Sequence, residues 1–223
     1  MQRERRRIVC ALGSLYPLSL IGGFAGSALG QPLGQLKAGV DYFELKASQP
    51  VEVPPGKIEV VEFFWYGCPH CYSLEPFIEN WSKKLAADTV FRRIPAIFNE
   101  RWARDAAIFY TFEALGVIER IHRPFFDAIH RDALKTDSFQ SLSQWLERHG
   151  IDPKKFEAAF KSFGVQSKVK RAEKTTVAYG VQGTPTMGVH GRFTVSPEQG
   201  KSQEGILANV DYLVALSRQG ARR

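Results

Sequence analysis

An apolar segment that runs directly into two closely spaced cysteines constrains the fold of this chain more than any other feature. Residues 57–66 read Lys-Ile-Glu-Val-Val-Glu-Phe-Phe-Trp-Tyr, a β-branched and aromatic run typical of a strand covered on both faces. Residues 68–71 read Cys-Pro-His-Cys, and apolar residues then recur at helical spacing over 74–85. The pattern predicts a buried strand that delivers a cysteine pair to the start of a helix.

The segments on either side of this unit predict a small mixed sheet. Residues 41–47 alternate enough for a short strand, and residues 90–98 return to strand character, which completes a right-handed βαβ unit. Later in the chain, residues 186–196 predict a hairpin around Gly191, and an amphipathic helix follows.

A helical block separates the two strand-bearing regions. From residue 100 to 180, apolar residues follow the 3.6-residue period, which predicts four or five helices and no strand. The fold class is therefore α/β, with a mixed sheet and flanking helices interrupted by an all-helical insertion. The expected segments are a leader with an edge strand (31–56), an α/β domain in two parts (57–98 and 181–218), the insertion (99–180) and a basic tail (219–223).

The N-terminus has the order of regions found in a secretory signal peptide. Arginines at positions 3, 5, 6 and 7 precede an apolar stretch over 8–29, and Ala28-Leu29-Gly30 ends it with mostly small residues. Polar residues, glycines and a proline interrupt the stretch, which disfavours a permanent membrane span. We expect residues 1–30 to be a cleaved signal peptide. An uncleaved anchor and the twin-arginine export route remain open alternatives.

Removal of the signal peptide lowers the net charge of the chain and the number of its cysteines. The whole chain has a formal charge of +7, and loss of residues 1–30 removes four arginines and Glu4, which leaves +4. This mild charge gives no reason to expect a nucleic-acid partner. Cys10 is also lost, so Cys68 and Cys71 become the only cysteines, in a compartment where disulfides persist.

A hydrophobic content of 44% excludes a disordered chain and indicates one sizeable domain, or one domain that carries an insertion.

The position of the two cysteines indicates different roles for them. At the strand-to-helix junction Cys68 lies at or beside the N-cap, and Pro69 suits the first helical position. Unpaired N–H groups and the helix dipole favour a thiolate on Cys68, to which a protonated His70 adds positive charge or a hydrogen bond. Cys71 lies deeper in the first turn. We therefore expect Cys68 to form the mixed disulfide and Cys71 to resolve it.

Three other uses of the cysteine pair are weaker. A structural zinc site needs four ligands, and the chain has no second cysteine pair. The remaining histidines are scattered: His122, His130, His149 and His190. A c-type haem needs histidine directly after the second cysteine, where Tyr72 stands. A purely structural disulfide across two residues removes little chain entropy. We expect no metal.

The residues around the cysteines resemble a known family. Residues 62–72, Glu-Phe-Phe-Trp-Tyr-Gly-Cys-Pro-His-Cys-Tyr, resemble the active-site stretch of the DsbA family of bacterial periplasmic thiol:disulfide interchange proteins, in the thioredoxin superfamily. The resemblance implies a thioredoxin-like fold for 57–98 and 181–218 and a redox-active Cys68–Cys71 disulfide in place of any bound cofactor.

A second match lies far along the chain. Gly183-Thr184-Pro185-Thr186 resembles the family's cis-proline loop, which packs against the disulfide. The resemblance implies a cis bond at Pro185 and a Thr184 backbone that faces Cys68 and pairs with an extended substrate segment. Threonine at position 184 departs from the valine of the best-known member.

Glu62 resembles a buried glutamate that handles protons near the inner cysteine in the family. A carboxylate in an apolar strand is costly unless it is paired, which suggests a function or an edge position. An exposed strand residue is the alternative. The family pairs this glutamate with a lysine, whereas the candidates here are Arg92 and Arg93, and arginine cannot give up its proton.

The resemblance implies a periplasmic dithiol oxidase that donates its Cys68–Cys71 disulfide to reduced, unfolded exported proteins. Its other implied partner is an inner-membrane, quinone-linked protein of the DsbB type that reoxidises it, and we expect a monomer. Two alternatives remain. One is a reductase or isomerase, although known isomerases carry an N-terminal dimerisation domain for which residues 31–56 are too few. The other is a peptide-binding chaperone with vestigial cysteines.

Overall fold

The computed structural model describes residues 35–220, so the predicted signal peptide lies outside the described residues. The elements, in chain order, are β1 (Phe43–Glu44), β2 (Ile58–Phe64), α1 (Pro69–Ser82), β3 (Thr89–Pro95), α2 (Glu100–Ala114), α3 (Ile118–His130), α4 (Phe139–Arg148), α5 (Pro153–Phe160), α6 (Phe163–Ala178), β4 (Thr186–Val189), β5 (Phe193–Val195), α7 (Pro197–Gly200) and α8 (Gln203–Gly220). Within this described part, each helix is too short or too polar to cross a membrane.

The five strands form one mixed sheet in the order β1-β5-β4-β2-β3. β2 pairs in parallel with β3 and antiparallel with β4, and β5 pairs antiparallel with both β4 and β1. All seven residues of β2 are buried, which explains why its apolar residues do not alternate with polar ones. The two polar residues of the strand, Glu59 and Glu62, are buried as well.

Successive side chains of β2 enter two different cores. Val60 packs in the cluster that contains Leu74 of α1 and Val210 of α8. Phe63 points to the opposite face and packs in the cluster that includes the helices between β3 and β4. This alternation follows from the two-residue period of a strand. The start of α1, where the cysteines lie, is therefore anchored to a strand buried on both faces.

Five helices, α2 to α6, lie between β3 and β4. Four of them begin at a side-chain N-cap that accepts a backbone N–H, namely Asn99, Ser138, Asp152 and Ser162. Aromatic rings fill the space between the helices: Phe112 lies 5.1 Å from Phe125 and 5.5 Å from Phe156 between ring centroids, and Phe125 lies 5.0 Å from Trp145. Most aromatics of this region are core residues, and the exceptions are Phe139 and Phe163, which are 51% and 88% exposed.

Two predicted boundaries differ from the structure. The strand expected over 41–47 is reduced to the two residues of β1, which pair with β5 at the edge of the sheet. The basic tail expected from residue 219 starts inside α8, which continues to Gly220. Arg218 near the end of this helix makes two hydrogen bonds of 2.6 Å to Asp88, and this pair gives the last turn of α8 a partner in the loop before β3.

Candidate active site

The cysteine pair lies at the junction of β2 and α1. Cys68 is the N-cap of α1, Pro69 is its first residue, and the Cys68 Sγ accepts a hydrogen bond from the Cys71 N–H at 3.4 Å. Cys68 is 6% exposed at the edge of the site, whereas Cys71 is fully buried. Both are free thiols in this structure. A proline at N1 suits this junction because the first N–H groups of a helix have no partner within it.

The pKa values of the two thiols are shifted in opposite directions. The pKa of Cys68 is lowered to about 5, mainly by a hydrogen bond from the Cys71 thiol. Hydrogen bonds from the Thr184 side chain and from the backbone N–H groups of Cys71 and His70 add to this effect, and burial opposes it. Burial, followed by the hydrogen bond to Cys68, raises the pKa of Cys71 well above its ordinary value. Cys68 is thus a thiolate at neutral pH, and Cys71 holds its proton.

Of the two contributions expected from the His70 side chain, a positive charge or a hydrogen bond to the Cys68 thiolate, the hydrogen bond is not formed in the structure. His70 is exposed, and among the described residues its imidazole makes no hydrogen bond. Its backbone N–H contributes to the low pKa of Cys68 instead. The imidazole lines a shallow cavity of about 130 Å³ together with Leu74, Pro185 and Ile206.

The loop at Pro185 lies directly against Cys68. The Thr184–Pro185 bond is cis, and the Cys68 Sγ lies 3.2 Å from the Thr184 carbonyl oxygen, to which it donates when it is protonated. The sheet produces this contact, because Thr186 at the start of β4 pairs with Phe63 near the end of β2. Two segments that are 116 residues apart therefore meet at the same end of the two paired strands.

Glu62 is fully buried in the central strand β2, so neither an exposed nor an edge position applies to it. Arg93 is its register partner in β3, and the Arg93 Nε donates to Glu62 at 3.1 Å. Arg92 instead pairs with Glu59 at 2.7 Å and with Glu52 at 3.1 Å. Of the two candidate arginines, Arg93 is the partner of Glu62.

Burial and the neighbouring carboxylate of Glu75 raise the pKa of Glu62 to about 8, although the charge of Arg93 opposes them. Glu62 is also one of the charges that raise the pKa of Cys71. The carboxyl group therefore holds a proton at neutral pH, close to the thiol whose protonation changes during disulfide exchange.

Three residues that the sequence analysis did not single out complete a buried polar group, which we call the inner cluster: Tyr66, Glu75 and His122 join Glu62 and Arg93. A second hydrogen bond from Arg93 goes to Glu75. The His122 Nδ1 lies 3.0 Å from the Tyr66 hydroxyl, and its Nε2 lies 3.5 Å from Glu75. The sequence spacing could have identified Glu75, because it follows Cys71 by four residues and so lies on the same face of the helix. No comparable signal marks His122.

Aromatic rings form the outer rim of the site. Trp65 stacks on Trp102 with ring centroids 4.3 Å apart, and Phe98, which is 45% exposed, lies 4.7 Å from Trp102. A Cβ atom at Gly67 would lie 2.3 Å from the Trp65 ring, so a larger residue at this position would force the ring to move. Tyr66 points the other way and is buried.

Over residues 35–220, no three His, Cys, Asp or Glu side chains are grouped in a way that could hold a metal ion. The chemistry of the site belongs to its two thiols, the carboxyl group beneath them and the loop at Pro185.

Comparisons with known proteins agree with this arrangement. The family model described as a DSBA-like thioredoxin domain matches residues 78–203. The thiol:disulfide interchange protein DsbA of Azotobacter vinelandii is 43% identical over 183 residues, which cover 82% of this chain and 85% of that protein. The DsbA of Burkholderia cepacia is 38% identical over 200 residues, which cover 90% of this chain and 92% of that protein.

Solved structures of the same family superimpose on this one. The crystal structure of Pseudomonas aeruginosa DsbA is 40% identical, has a TM-score of 0.79 and covers 84% of this chain and 97% of its own. The oxidoreductase NmDsbA1 of Neisseria meningitidis, at 26% identity, has a TM-score of 0.73 and covers 84% of this chain and 96% of its own. The chain belongs to the DsbA family of thioredoxin-fold thiol:disulfide oxidoreductases.

Proposed function

We propose that this protein works in the periplasm as an oxidant that passes its Cys68–Cys71 disulfide to reduced, unfolded exported proteins. The observation that carries the proposal is the contrast between the two thiols: Cys68 has a pKa of about 5 at the edge of the site, and the pKa of the buried Cys71 is raised. A thiolate that is stable in the reduced form makes the disulfide easy to reduce, so the protein acts as an electron acceptor.

The exchange has two steps. A substrate thiolate attacks the Cys68 Sγ, the bond between Cys68 and Cys71 breaks, and Cys71 leaves with the electron pair and takes up a proton. A second thiolate of the substrate then attacks the substrate sulfur of the mixed disulfide. Cys68 departs as a thiolate, and its low pKa makes it a good leaving group.

Glu62 is the proposed source of the proton for Cys71. Its carboxyl group keeps a proton up to about pH 8, and its charge influences the Cys71 thiol. Arg93 cannot supply this proton, because a guanidinium group does not lose its proton in proteins. Arg93 holds the carboxyl group in place instead.

The substrate segment next to the reacting cysteine is expected to lie along the Thr184–Pro185 loop as an added strand. The cavity beside Pro185, which the exposed His70 helps to line, accommodates one small side chain of such a segment. Phe98 and Trp102, which pack beside Trp65, offer apolar contacts to further side chains of an unfolded protein.

Partners, location and organisation belong to the same proposal. An inner-membrane, quinone-linked protein of the DsbB type reoxidises the cysteines, and a signal peptide over residues 1–30 directs export. The protein is a monomer in which residues 57–98 and 181–218 form the thioredoxin-like domain and residues 99–180 form the insertion. The continuous β2–β4 pairing across the insertion supports this division.

The decisive experiment mixes the oxidised protein with a reduced, unfolded protein that needs disulfides to fold. Substrate disulfides are expected to form in step with loss of the Cys68–Cys71 disulfide. Cys68→Ala is expected to abolish the transfer, and Cys71→Ser, converted to a mixed disulfide at Cys68, is expected to release the bound thiol only to an added thiol. An unchanged rate in Cys68→Ala overturns the proposal, and a strongly reducing potential identifies a reductase instead.

A further inference from the structure

A second cavity, of about 410 Å³, lies next to the loop at Pro185. Pro185 and Pro197 line it, and the same two residues line the cavity of about 130 Å³ that His70 helps to form. We call them the larger and the smaller cavity. The loop that lies against Cys68 therefore has a cavity on either side of it, and only the smaller one has a role in the proposed function.

The two cavities lie on opposite faces of the sheet. Leu74 lines the smaller cavity and belongs to the core cluster that also contains Met187 of β4. Tyr179 lines the larger cavity and packs on Phe63, with ring centroids 4.9 Å apart, on the face that the insertion covers. Because side chains alternate along a strand, Thr186 faces the opposite way from Met187, and it lines the larger cavity.

A substrate segment that lies along the Thr184–Pro185 loop as an added strand has its side chains alternately on the two faces of the sheet. Side chains at even and at odd distances from the substrate cysteine therefore approach different cavities. The chemistry of each cavity then selects the residues that the substrate carries at one set of alternate positions.

The larger cavity carries many polar side chains and one carboxylate. The hydroxyl and amide residues that line it are Gln182, Thr184, Thr186, Thr194, Ser196 and Gln199. Among the described residues that line it, Glu198 alone is charged, and it is exposed. The Glu198 backbone N–H donates to the Ser196 Oγ at 3.3 Å, whereas its carboxylate has no hydrogen-bond or ion-pair partner within residues 35–220. The negative charge of Glu198 is therefore available to a ligand.

The size and the apolar surface of the larger cavity suit a long basic side chain. Its volume is about three times that of the smaller cavity. Two of its lining residues are aromatic: Tyr179 and the 48% exposed Phe43, which is the register partner of Thr194. The stem of a lysine or arginine side chain packs on apolar surface of this kind while its charged end stays in contact with water.

We propose that the larger cavity binds a lysine or arginine side chain of the substrate segment, and that Glu198 is the residue that determines this specificity. The stem of the basic side chain lies against Phe43 and Tyr179, and its charged end pairs with the Glu198 carboxylate. The preferred substrates are exported proteins with a basic residue near the reacting cysteine, at one set of alternate positions. The role of this site rests on the proposed function of the cysteine pair.

The net charge of the molecule opposes this preference everywhere else. The formal charge of the chain is +7 and remains +4 after loss of residues 1–30, so long-range electrostatics repel a basic peptide. Lys201 lines the smaller cavity and disfavours a basic side chain there. A preference for lysine that is restricted to alternate positions therefore requires a local carboxylate, and Glu198 is the one that lines the larger cavity.

A lysine scan of short peptides tests the inference. Each peptide has one cysteine, and lysine occupies in turn each of the three positions before and after it, with norleucine at the same position in the reference peptide. The oxidised full chain is mixed with an excess of each reduced peptide. Two peptide thiols are oxidised to one peptide disulfide, and the Cys68–Cys71 disulfide is reduced to two thiols. Acid quenching and alkylation of the new protein thiols measure the rate.

We expect lysine to raise the rate by about two- to fivefold over norleucine, the range of an exposed ion pair, at positions that are all at even or all at odd distances from the cysteine. Glu198→Gln is expected to lose this advantage, and high salt is expected to weaken it in the wild type. Comparison of the two proteins with the same peptide removes any effect of lysine on the peptide's own thiol. Glu173→Gln is the matched control, because Glu173 is exposed on α6 and its loss changes the net charge equally.

The outcomes distinguish this inference from the proposed function. Equal rates for lysine and norleucine peptides, a lysine advantage of the same size at adjacent positions, or an advantage that Glu198→Gln retains overturns the inference and leaves the proposed function in place. If the oxidised protein leaves every peptide and a reduced, unfolded protein unoxidised, the proposed function is wrong. If Glu198→Gln does not fold, the positional pattern in the wild type decides the inference by itself.

Discussion

Cys68 combines two properties that pull against each other, namely burial and charge. Cys68 is 6% exposed, and burial alone would raise the pKa of its thiol. Hydrogen bonds from the Cys71 thiol, the Thr184 side chain and nearby backbone N–H groups nevertheless lower this pKa to about 5. Hydrogen bonds to the ionised form thus decide the acidity of this thiol. The same reasoning shows which substitutions change its acidity.

Thr184→Val is expected to raise the pKa of Cys68, because it removes one hydrogen bond to the thiolate. A hydrogen bond to a charged group contributes about 1.5 to 3 kcal/mol, which corresponds to a rise of about one to two pKa units. Ultraviolet absorbance of the thiolate against pH measures it. Thr175→Val is the matched control, since the Thr175 hydroxyl bonds the Arg171 carbonyl oxygen on the exposed face of α6. A Cys68 pKa that does not move in Thr184→Val contradicts the assignment.

Arg93→Leu is expected to destabilise the protein by about 3 to 5 kcal/mol, because it leaves Glu62 and Glu75 buried without their shared cation. Glu62→Gln is the paired variant. It is expected to cost less than about 1 kcal/mol at neutral pH, since a carboxyl group with a pKa of about 8 is already uncharged there. Urea denaturation of both variants in the oxidised state compares them, and equal losses contradict the charge assignment.

At the scale of elements, the helical insertion has an aromatic core of its own that continues into the active site. Phe112 packs against Phe125, Trp145 and Phe156. Phe125 also contacts Tyr66, with ring centroids 4.7 Å apart. The insertion therefore does more than cover one face of the sheet, because α3 carries His122 to the inner cluster.

Phe112→Ala is expected to lower the free energy of unfolding by about 3 to 5 kcal/mol, through loss of buried area and creation of a cavity. The Cys68 pKa is expected to stay unchanged, because the groups that set it lie in α1 and in the loop at Pro185. Phe163→Ala is the control, since that ring is 88% exposed. Denaturant unfolding and thiolate titration of both variants provide the check, and a similar loss of stability in the two variants refutes it.

At the scale of the whole molecule, the sheet places groups from distant parts of the chain around one disulfide. β2 and α1 carry Glu62, the two cysteines and Glu75, β3 adds Arg93, α3 adds His122, and the loop before β4 adds Thr184. Folding and redox state are therefore coupled, because the reduced site contains a stabilised thiolate that the oxidised site lacks.

The reduced protein is expected to lose stability relative to the oxidised protein as the pH falls. The Cys68 pKa drops from about 9 in an ordinary thiol to about 5 in the folded protein. A depressed pKa contributes stability that is fully present above the ordinary pKa and is lost as the pH falls through the folded one. The oxidised form has no such proton to bind. Denaturant unfolding of both forms between about pH 5 and 9 measures the free energy of unfolding of the reduced form minus that of the oxidised form. A difference that stays constant or increases as the pH falls contradicts the prediction. Cys68→Ser, which cannot form the disulfide, is expected to lose the pH dependence that Cys68 gives to the reduced protein.

The amino-acid sequence by itself determined the order of elements, the helical insertion, the position of the cysteines at a helix N-terminus and the family to which they point. These features follow from local patterns, namely the apolar run of β2, the helical period of α1 to α6 and the Cys-Pro-His-Cys segment. A carboxyl group in an apolar strand was also visible as an anomaly at Glu62.

Only the tertiary structure decided which side chains share the site. Arg92 and Arg93 are neighbours in sequence, and the register of β3 against β2 is what pairs Arg93 with Glu62. Glu75 and His122 look like ordinary helix residues until the packing of α1 against α3 buries them together. Long-range partners depend on strand register and helix packing, and neither is encoded in the local spacing of residues.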